Sequence, residues 1–272
     1  MESGVTAQSL QRDGALAGCT VVITRPAGTG STLARRVRAW GGVPLLLPGV
    51  SLRAAPDQDA ARAQWQQAQR DDVLIFTSPA AVRYALALSP PMARAGVVAV
   101  GRSTARALHR HGIEAQLPAT RQDSEGVLAL PVLQHAQGLH VALITAPDGR
   151  GVLQQQLAAR GAVVREVHVY RRTAPRLGRR HLQAVQDLPA RACVLLSSAE
   201  SLQHIQAQLP QAAWRRLCAA DAIASSERIA EQARTGGFSR IHVARSAVAD
   251  DLLACAADIC SRPYHEADRP GC

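Results

Sequence analysis

The sequence has no lysine and no asparagine, and only eight aromatic side chains among its 272 residues. All 31 basic residues are therefore arginine. Both missing residues have AT-rich codons, so genome composition accounts for the gap, yet the gap still removes chemistry. A Schiff-base lysine, a P-loop lysine and a lysine general base are all excluded. An aromatic content of 3% leaves the core to Leu, Val, Ile and Ala, and offers few platforms for stacked bases. With the arginines scattered and not clustered, nucleic acid is not the expected partner.

Other absences narrow the class further. No apolar run approaches the ~18 residues of a membrane span, and residues 1–18, which carry Glu2, Arg12 and Asp13, do not read as a signal peptide. The expectation is a cytoplasmic, monomeric protein with no membrane partner. Cys19, Cys193, Cys218, Cys255, Cys260 and Cys272 form no CxxC pair and no framework spacing. Neither a zinc site nor a disulfide scaffold is implied, and reduced cysteines are expected, with Cys255 and Cys260 as core packing. His109 and His111 have no carboxylate at metal-ligand spacing and read as surface or capping residues. No GxGxxG fingerprint follows a strand, and no GxSxG elbow exists.

What the chain does have is a repeat. Val22-Ile23-Thr24-Arg25-Pro26-Ala27-Gly28-Thr29-Gly30 returns as Leu143-Ile144-Thr145-Ala146-Pro147-Asp148-Gly149-Arg150-Gly151, an offset of 121. Val73–Ser78 matches Cys193–Ser198 at an offset of 120, and Ala99–Ser103 matches Ala222–Ser226 at 123. Three matches in one order argue for duplication and two similar halves facing across a cleft.

Apolar runs alternate with helical patterns: a strand at Thr20–Thr24, a helix over Ser31–Trp40, and a strand at Val43–Leu47. The series continues with strands at Val73–Phe76 and Val97–Val100, helices from Pro79 and over Ser103–His109, a short strand near Glu114–Leu117 and a helix from Ser124. This βαβ rhythm predicts an α/β protein with doubly wound parallel sheets. Two extended stretches, 49–55 and 167–175, read as crossings at a two-stranded waist. The expected organisation is a poorly ordered end at 1–18, a discontinuous first lobe of 19–48 plus 176–260, a second lobe of 56–166, and a tail at 261–272.

The turns after the strands carry the chemistry. Phe76-Thr77-Ser78-Pro79 reads as a strand end, an N-cap and a first-turn proline, leaving backbone N–H groups and a dipole that favour an anion. Gly101-Arg102-Ser103-Thr104, Pro26-Ala27-Gly28, Pro147-Asp148-Gly149-Arg150, Ser197-Ser198 and Ser225-Ser226 offer the same geometry at the carboxyl ends of strands. One serine at a helix start is ordinarily only a cap. Six such turns in a chain of net charge +10 point to an anionic ligand. In Val163–Tyr170 alternation puts Val163, Arg165, Val167 and Val169 on one face. Tyr170 then sits at the waist, either as an amphipathic packing residue or as a phenol able to donate a proton to a leaving group.

Taken together, Thr24-Arg25-Pro26, Ile75–Val82, Val100–Leu108, Gly149-Arg150 with Leu153, Leu157 and Gly161, and Val169–Arg172 resemble the uroporphyrinogen-III synthases, in family order over residues 19–260. The resemblance implies two flavodoxin-like lobes and no metal or organic cofactor. It implies the cyclisation of hydroxymethylbilane, a linear tetrapyrrole with eight carboxylates, to uroporphyrinogen III with inversion of ring D and loss of water. On that resemblance Tyr170 is the catalytic candidate, and Ser78, Thr104 and Ser198 line the cleft. The remaining binding candidates are Arg25, Gly101, Ser103, Gly149, Arg150, Ser197, Ser225 and Ser226. Ala80 stands where many members carry asparagine. The alternative from another class is a non-catalytic two-lobed binding protein for a small anion.

Overall fold

The computed structural model describes residues 14–90, 95–119, 121–147 and 151–261. The chain divides into two compact units, one made of residues up to Ser51 and from Thr173 onward, the other of Leu52–Arg172.

The first unit holds β1 (Thr20–Ile23), β2 (Val43–Leu46), β9 (Ala192–Leu196), β10 (Asp221–Ala224) and β11 (Ile241–Val243) in one parallel sheet of order β11-β10-β9-β1-β2. The central strands β1 and β9 are buried at every position, which is why they read as unbroken apolar runs. Two apolar clusters, one around Val22, Val194 and Leu217 and one around Val21, Val37 and Leu253, complete a core.

The second unit holds β4 (Val73–Phe76), β5 (Gly96–Ala99), β6 (His140–Thr145) and β7 (Val163–His168) in a parallel sheet of order β5-β4-β6-β7. The duplication is visible here as topology. The repeats pair β1 with β6, β9 with β4 and β10 with β5, and these strands stand in the same spatial order in each sheet. The place of β11 is taken in the second unit by a single parallel bridge between Val98 and Gln116. The strand expected near Glu114–Leu117 is thus only a bridge. Strands β3 (Ser51–Ala54) and β8 (Tyr170–Thr173) form a separate two-stranded ladder where the chain passes from one unit to the other.

Among the described residues, four helices start at a side chain that accepts from a first-turn N–H. Asp57 accepts from Ala60 N–H at 2.9 Å, Ser78 from Ala81 N–H at 3.1 Å, Asp123 from Gly126 N–H at 2.9 Å and Ser198 from Ser201 N–H at 3.3 Å. These caps open α2 (Gln58–Ala68), α3 (Pro79–Leu88), α5 (Ser124–Leu128) and α9 (Ala199–Gln208). The first unit's α1 is Ser31–Ala39, and α4 is Arg102–His109. The helix expected from Ser124 ends at Leu128, and α6 (Pro131–Gln134) begins after it, with proline in the first turn. The remaining helices are α7 (Val152–Ala159), α8 (Arg179–Gln186), α10 (Gln211–Cys218), α11 (Glu227–Thr235) and α12 (Ala249–Cys260). Among the described residues, no helix is long and apolar enough to cross a membrane.

Three local expectations need correction. The alternation over Val163–Tyr170 breaks, because β7 ends at His168, Tyr170 opens β8, and Val169 and Tyr170 are both buried. Residues 14–18, expected in the poorly ordered end, pack on the first unit, with Leu16 fully buried and its N–H bonded to Trp40 O at 2.8 Å; the rest of the two expected ends, 1–13 and 262–272, lies outside the described residues. Cys19 and Cys260 are joined in a disulfide across 241 residues, where reduced core cysteines were expected. A spacing motif reads only local pairs, and nothing local marks this one.

At the start of β10, burial works against ionisation of Asp221, but the hydrogen bond from His242 at 2.9 Å and the charge of Arg240 at 3.2 Å outweigh it. Its pKa therefore lies below the ordinary carboxylate value. A carboxyl depressed in the folded state contributes stability above its unfolded pKa, and the contribution is lost as pH falls through the folded value. We expect Asp221→Asn to lower stability at neutral pH by about 1–2 kcal/mol and to flatten the acid limb. Urea midpoints between about pH 5 and about pH 2 check this, and an unchanged acid slope would refute it.

Candidate functional site

In the second unit the candidate groups gather at the carboxyl end of the sheet. Ser78 directly follows the β4 turn, and its hydroxyl serves two neighbours. It caps α3 and shares a 3.1 Å hydrogen bond with the phenol of Tyr170, 92 residues away. The Tyr170 ring is 7% exposed and stacks on Tyr84, with centroids 5.6 Å apart and planes at 11°. Tyr84 is itself fixed by its hydroxyl, which donates to Leu52 O at 2.8 Å, and the Arg83 guanidinium lies 4.7 Å over its ring. Tyr170 therefore has its ring plane set by one aromatic and its oxygen set by one serine.

On the other face of the sheet from this pair, a cavity of about 280 Å³ opens near the ends of β4 and β6 and along β7, lined among others by Thr77, Gln122, Asp123, Thr145 and Glu166. Thr77 Oγ1 bonds Ile144 O and Thr145 Oγ1, each at 3.1 Å, which ties the β4 and β6 ends together. Glu166 accepts from His168 Nε2 at 3.0 Å. A larger open depression of about 630 Å³ lies over α5, α6 and α7 and contains none of the candidate residues.

The start of α4 is less open than its sequence suggests. Gly101 is extended at φ −156°, and the adjacent Arg102 N–H is occupied by Gln122 Oε1 at 2.9 Å. Ser103 is exposed, whereas Thr104 is only 2% exposed and packs inside. Gly149 and Arg150 lie outside the described residues. Next to them Gly151 adopts φ +65° at the start of α7, a left-handed conformation that favours glycine.

In the first unit, Ser198 caps α9, with half-buried Ser197 beside it. Ser225 donates its N–H to Leu196 O at 2.9 Å, tying the β10 end to β9. Ser226 precedes α11 without a side-chain cap bond. Arg25 follows β1, which is anchored at its end by Thr24 Oγ1 donating to Leu195 O at 2.7 Å. The Arg25 guanidinium donates to Ala247 O at 2.9 Å, and among the described residues no carboxylate pairs with it. Burial lowers its pKa from the ordinary arginine value, though an arginine stays charged. A partly desolvated guanidinium with spare donors is suited to a carboxylate ligand.

Sequence reasoning missed Thr77, Thr145, Gln122, Asp123 and Glu166. Thr77 and Thr145 were available as neighbours of Ser78 and as members of the repeat. Gln122 and Glu166 carry no local signal, since their place at the cavity depends on how separate strands and loops come together.

A family model described as uroporphyrinogen-III synthase HemD matches residues 31–254. The chain is similar to uroporphyrinogen-III synthase of Salmonella typhimurium, at 32% identity over 249 residues, 86% of this chain and 98% of that protein. It is likewise similar to the enzyme of the same name in Escherichia coli, at 32% identity over 254 residues with the same coverage of both chains. Two solved structures share its fold. A mutant uroporphyrinogen III synthase from Thermus thermophilus matches with a TM-score of 0.54 at 21% identity, over 87% of this chain and 96% of its own. A uroporphyrinogen-III synthetase from Helicobacter pylori matches with a TM-score of 0.56 at 15% identity, over 88% and 99%.

Proposed function

Because this chain belongs to the uroporphyrinogen-III synthase family, it is a cyclising lyase of heme and tetrapyrrole biosynthesis, and we propose that Tyr170 is its proton donor. The proposed substrate is hydroxymethylbilane. The C–O bond of the ring A hydroxymethyl group breaks, and the phenol proton leaves with the oxygen as water. Ring D then attacks through its substituted carbon, and the spiro intermediate recombines with ring D inverted. The proton given up is replaced when the closing carbon of ring D loses its hydrogen.

The observation that supports this reading is the Ser78–Tyr170 hydrogen bond under a stacked Tyr84 ring. The Ala81 N–H already occupies one lone pair of Ser78 Oγ. Its own proton is free to donate to the phenol oxygen, which leaves the phenol proton available for a leaving hydroxyl. A macrocycle also closes without the enzyme, in the type I arrangement, so the protein's task is mainly to hold ends in register. The half-buried Arg25 and the net charge of +10 suit a substrate with eight carboxylates. The further binding roles belong to Ser78, Ser103, Gly101, Gly149, Arg150, Ser197, Ser198, Ser225 and Ser226, whereas Thr104, expected to line the cleft, is turned into the core and serves only to seat α4. The proposal has the protein acting as a cytoplasmic monomer. The non-catalytic binding reading is not favoured, since the curated relatives are synthases.

The test is incubation of the chain with freshly prepared hydroxymethylbilane in the presence of a chelator, followed by separation of the oxidised isomers. Type III product is expected. Type I product alone, from folded protein, would overturn the reading.

A second variant probes the serine. Ser78→Ala removes one hydrogen bond to Tyr170, a net contribution of about 0.5–1.5 kcal/mol, so kcat should fall roughly 2- to 13-fold. The lost cap should lower stability by about 1 kcal/mol in the same variant. Turnover at the wild-type rate with the cap penalty present would separate Ser78 from the chemistry.

A further inference from the structure

The first unit contains a second cluster of reactive side chains, at the opposite end of its sheet from Arg25. Cys19 precedes β1, Cys193 lies in β9 and Cys260 ends α12, and their three sulfurs all lie within 4.8 Å of one another. A strand rise of 3.3 Å per residue places Cys19 roughly 16 Å from the Thr24 end of β1. The three side chains are 1%, 1% and 5% exposed, and their walls are apolar, formed by residues such as Leu16, Val21, Leu253 and Ala256. Arg191 donates to the Cys260 carbonyl at the rim.

We propose that, once the Cys19–Cys260 disulfide is opened, these three cysteines form a binding site for a trivalent thiol-seeking ion of the arsenite class. Three trigonal ligands at a metal–sulfur distance of about 2.3 Å lie about 4 Å from each other, within the spread of the cluster. Charge selects the ion. Three thiolates around a monovalent ion leave two uncompensated negative charges, and around a divalent ion one, in surroundings that penalise any unpaired charge. A trivalent centre leaves none. Burial first, then the nearby Asp221 and Cys255, push the Cys193 thiol well above its ordinary pKa. Exchange between neutral partners suits such a thiol. Zinc prefers a fourth ligand, and among the described residues the cluster supplies three.

The chemistry balances in two steps. A phosphine and one water reduce the disulfide, the phosphorus taking the oxygen as a phosphine oxide and the two sulfurs taking the hydrogens as thiols. Arsenous acid then exchanges its three hydroxyls for three thiols, forming three As–S bonds and releasing three waters with no change of oxidation state.

Intact-chain mass spectrometry under native conditions, after phosphine reduction and addition of arsenite alone, tests the site. The expected result is one adduct per chain with a mass gain of one arsenic less three hydrogens. Cys193→Ala should lose it and Cys218→Ala, in the other core cluster, should keep it, with far-ultraviolet circular dichroism confirming fold. If Cys193→Ala does not fold, Cys260→Ser takes its place in the comparison. Absence of the adduct in reduced wild-type protein, its persistence in the cluster variant, or uptake of cadmium with refusal of arsenite would each overturn the proposal.

Discussion

Tyr170→Phe is expected to slow formation of the type III isomer by about 10²–10⁴-fold, the usual range for loss of a general acid. The ring remains, so its stacking on Tyr84 and its burial in the second unit's core are kept, and stability should change by less than about 1 kcal/mol. The phenol proton and the hydrogen bond accepted from Ser78 are lost. Because the unassisted closure gives type I, slow turnover should let substrate escape and raise the type I share. Single-turnover kinetics with isomer analysis distinguishes this from a packing role, for which the rate and the pure type III product would survive.

The largest stability loss should follow Trp65→Ala. Trp65 is fully buried on α2, meets Phe76 edge-on with centroids 5.9 Å apart, and donates its indole N–H to Ser89 O at 3.0 Å. Removing a buried aromatic costs about 3–5 kcal/mol, partly through the void left behind. Ser89 O loses its indole partner as well. Phe76 is the last residue of β4, two positions before Ser78, so the vacancy lies close to the support of the Ser78–Tyr170 pair. Urea unfolding followed by circular dichroism should show the loss, and Trp65→Phe should restore more than half of it. A penalty below about 1 kcal/mol would mean that the surrounding side chains collapse into the space.

Much of the fold could be read from the chain because its strands are local signals. Central parallel strands are buried on both faces, so Val73–Phe76 and Ala192–Leu196 appear as continuous apolar runs. The turn chemistry of Ser78-Pro79 is local too, and it became the cap that opens α3. The repeat extended this further by forecasting two similar sheets. What periodicity does not encode is which distant residues meet. Ser78 and Tyr170 could each be singled out, but their shared hydrogen bond joins positions 92 apart. Gln122 filling the helix start at Gly101, and Cys260 reaching Cys19, depend on tertiary approach in the same way. Thr104 illustrates the opposite limit, since a hydroxyl type says nothing about whether its helix face turns inward.

The placement of β1 between β2 and β9 also governs the order in which the molecule can be assembled on a ribosome. Strand β2 is complete at Leu46, whereas β9 begins only at Ala192. At roughly 5–20 residues per second, the amino-terminal strand pair emerges some 7–30 s before the neighbour that will cover the other edge of β1. In that interval β1 presents unpaired N–H and C=O groups along an apolar strand, the condition that invites pairing with another nascent chain. The inserted residues Leu52–Arg172 carry all four strands of their own sheet and need nothing made later. Synthesis thus imposes a waiting period on the first half of one sheet while the other closes, and chaperone demand should concentrate on chains stalled between those two points.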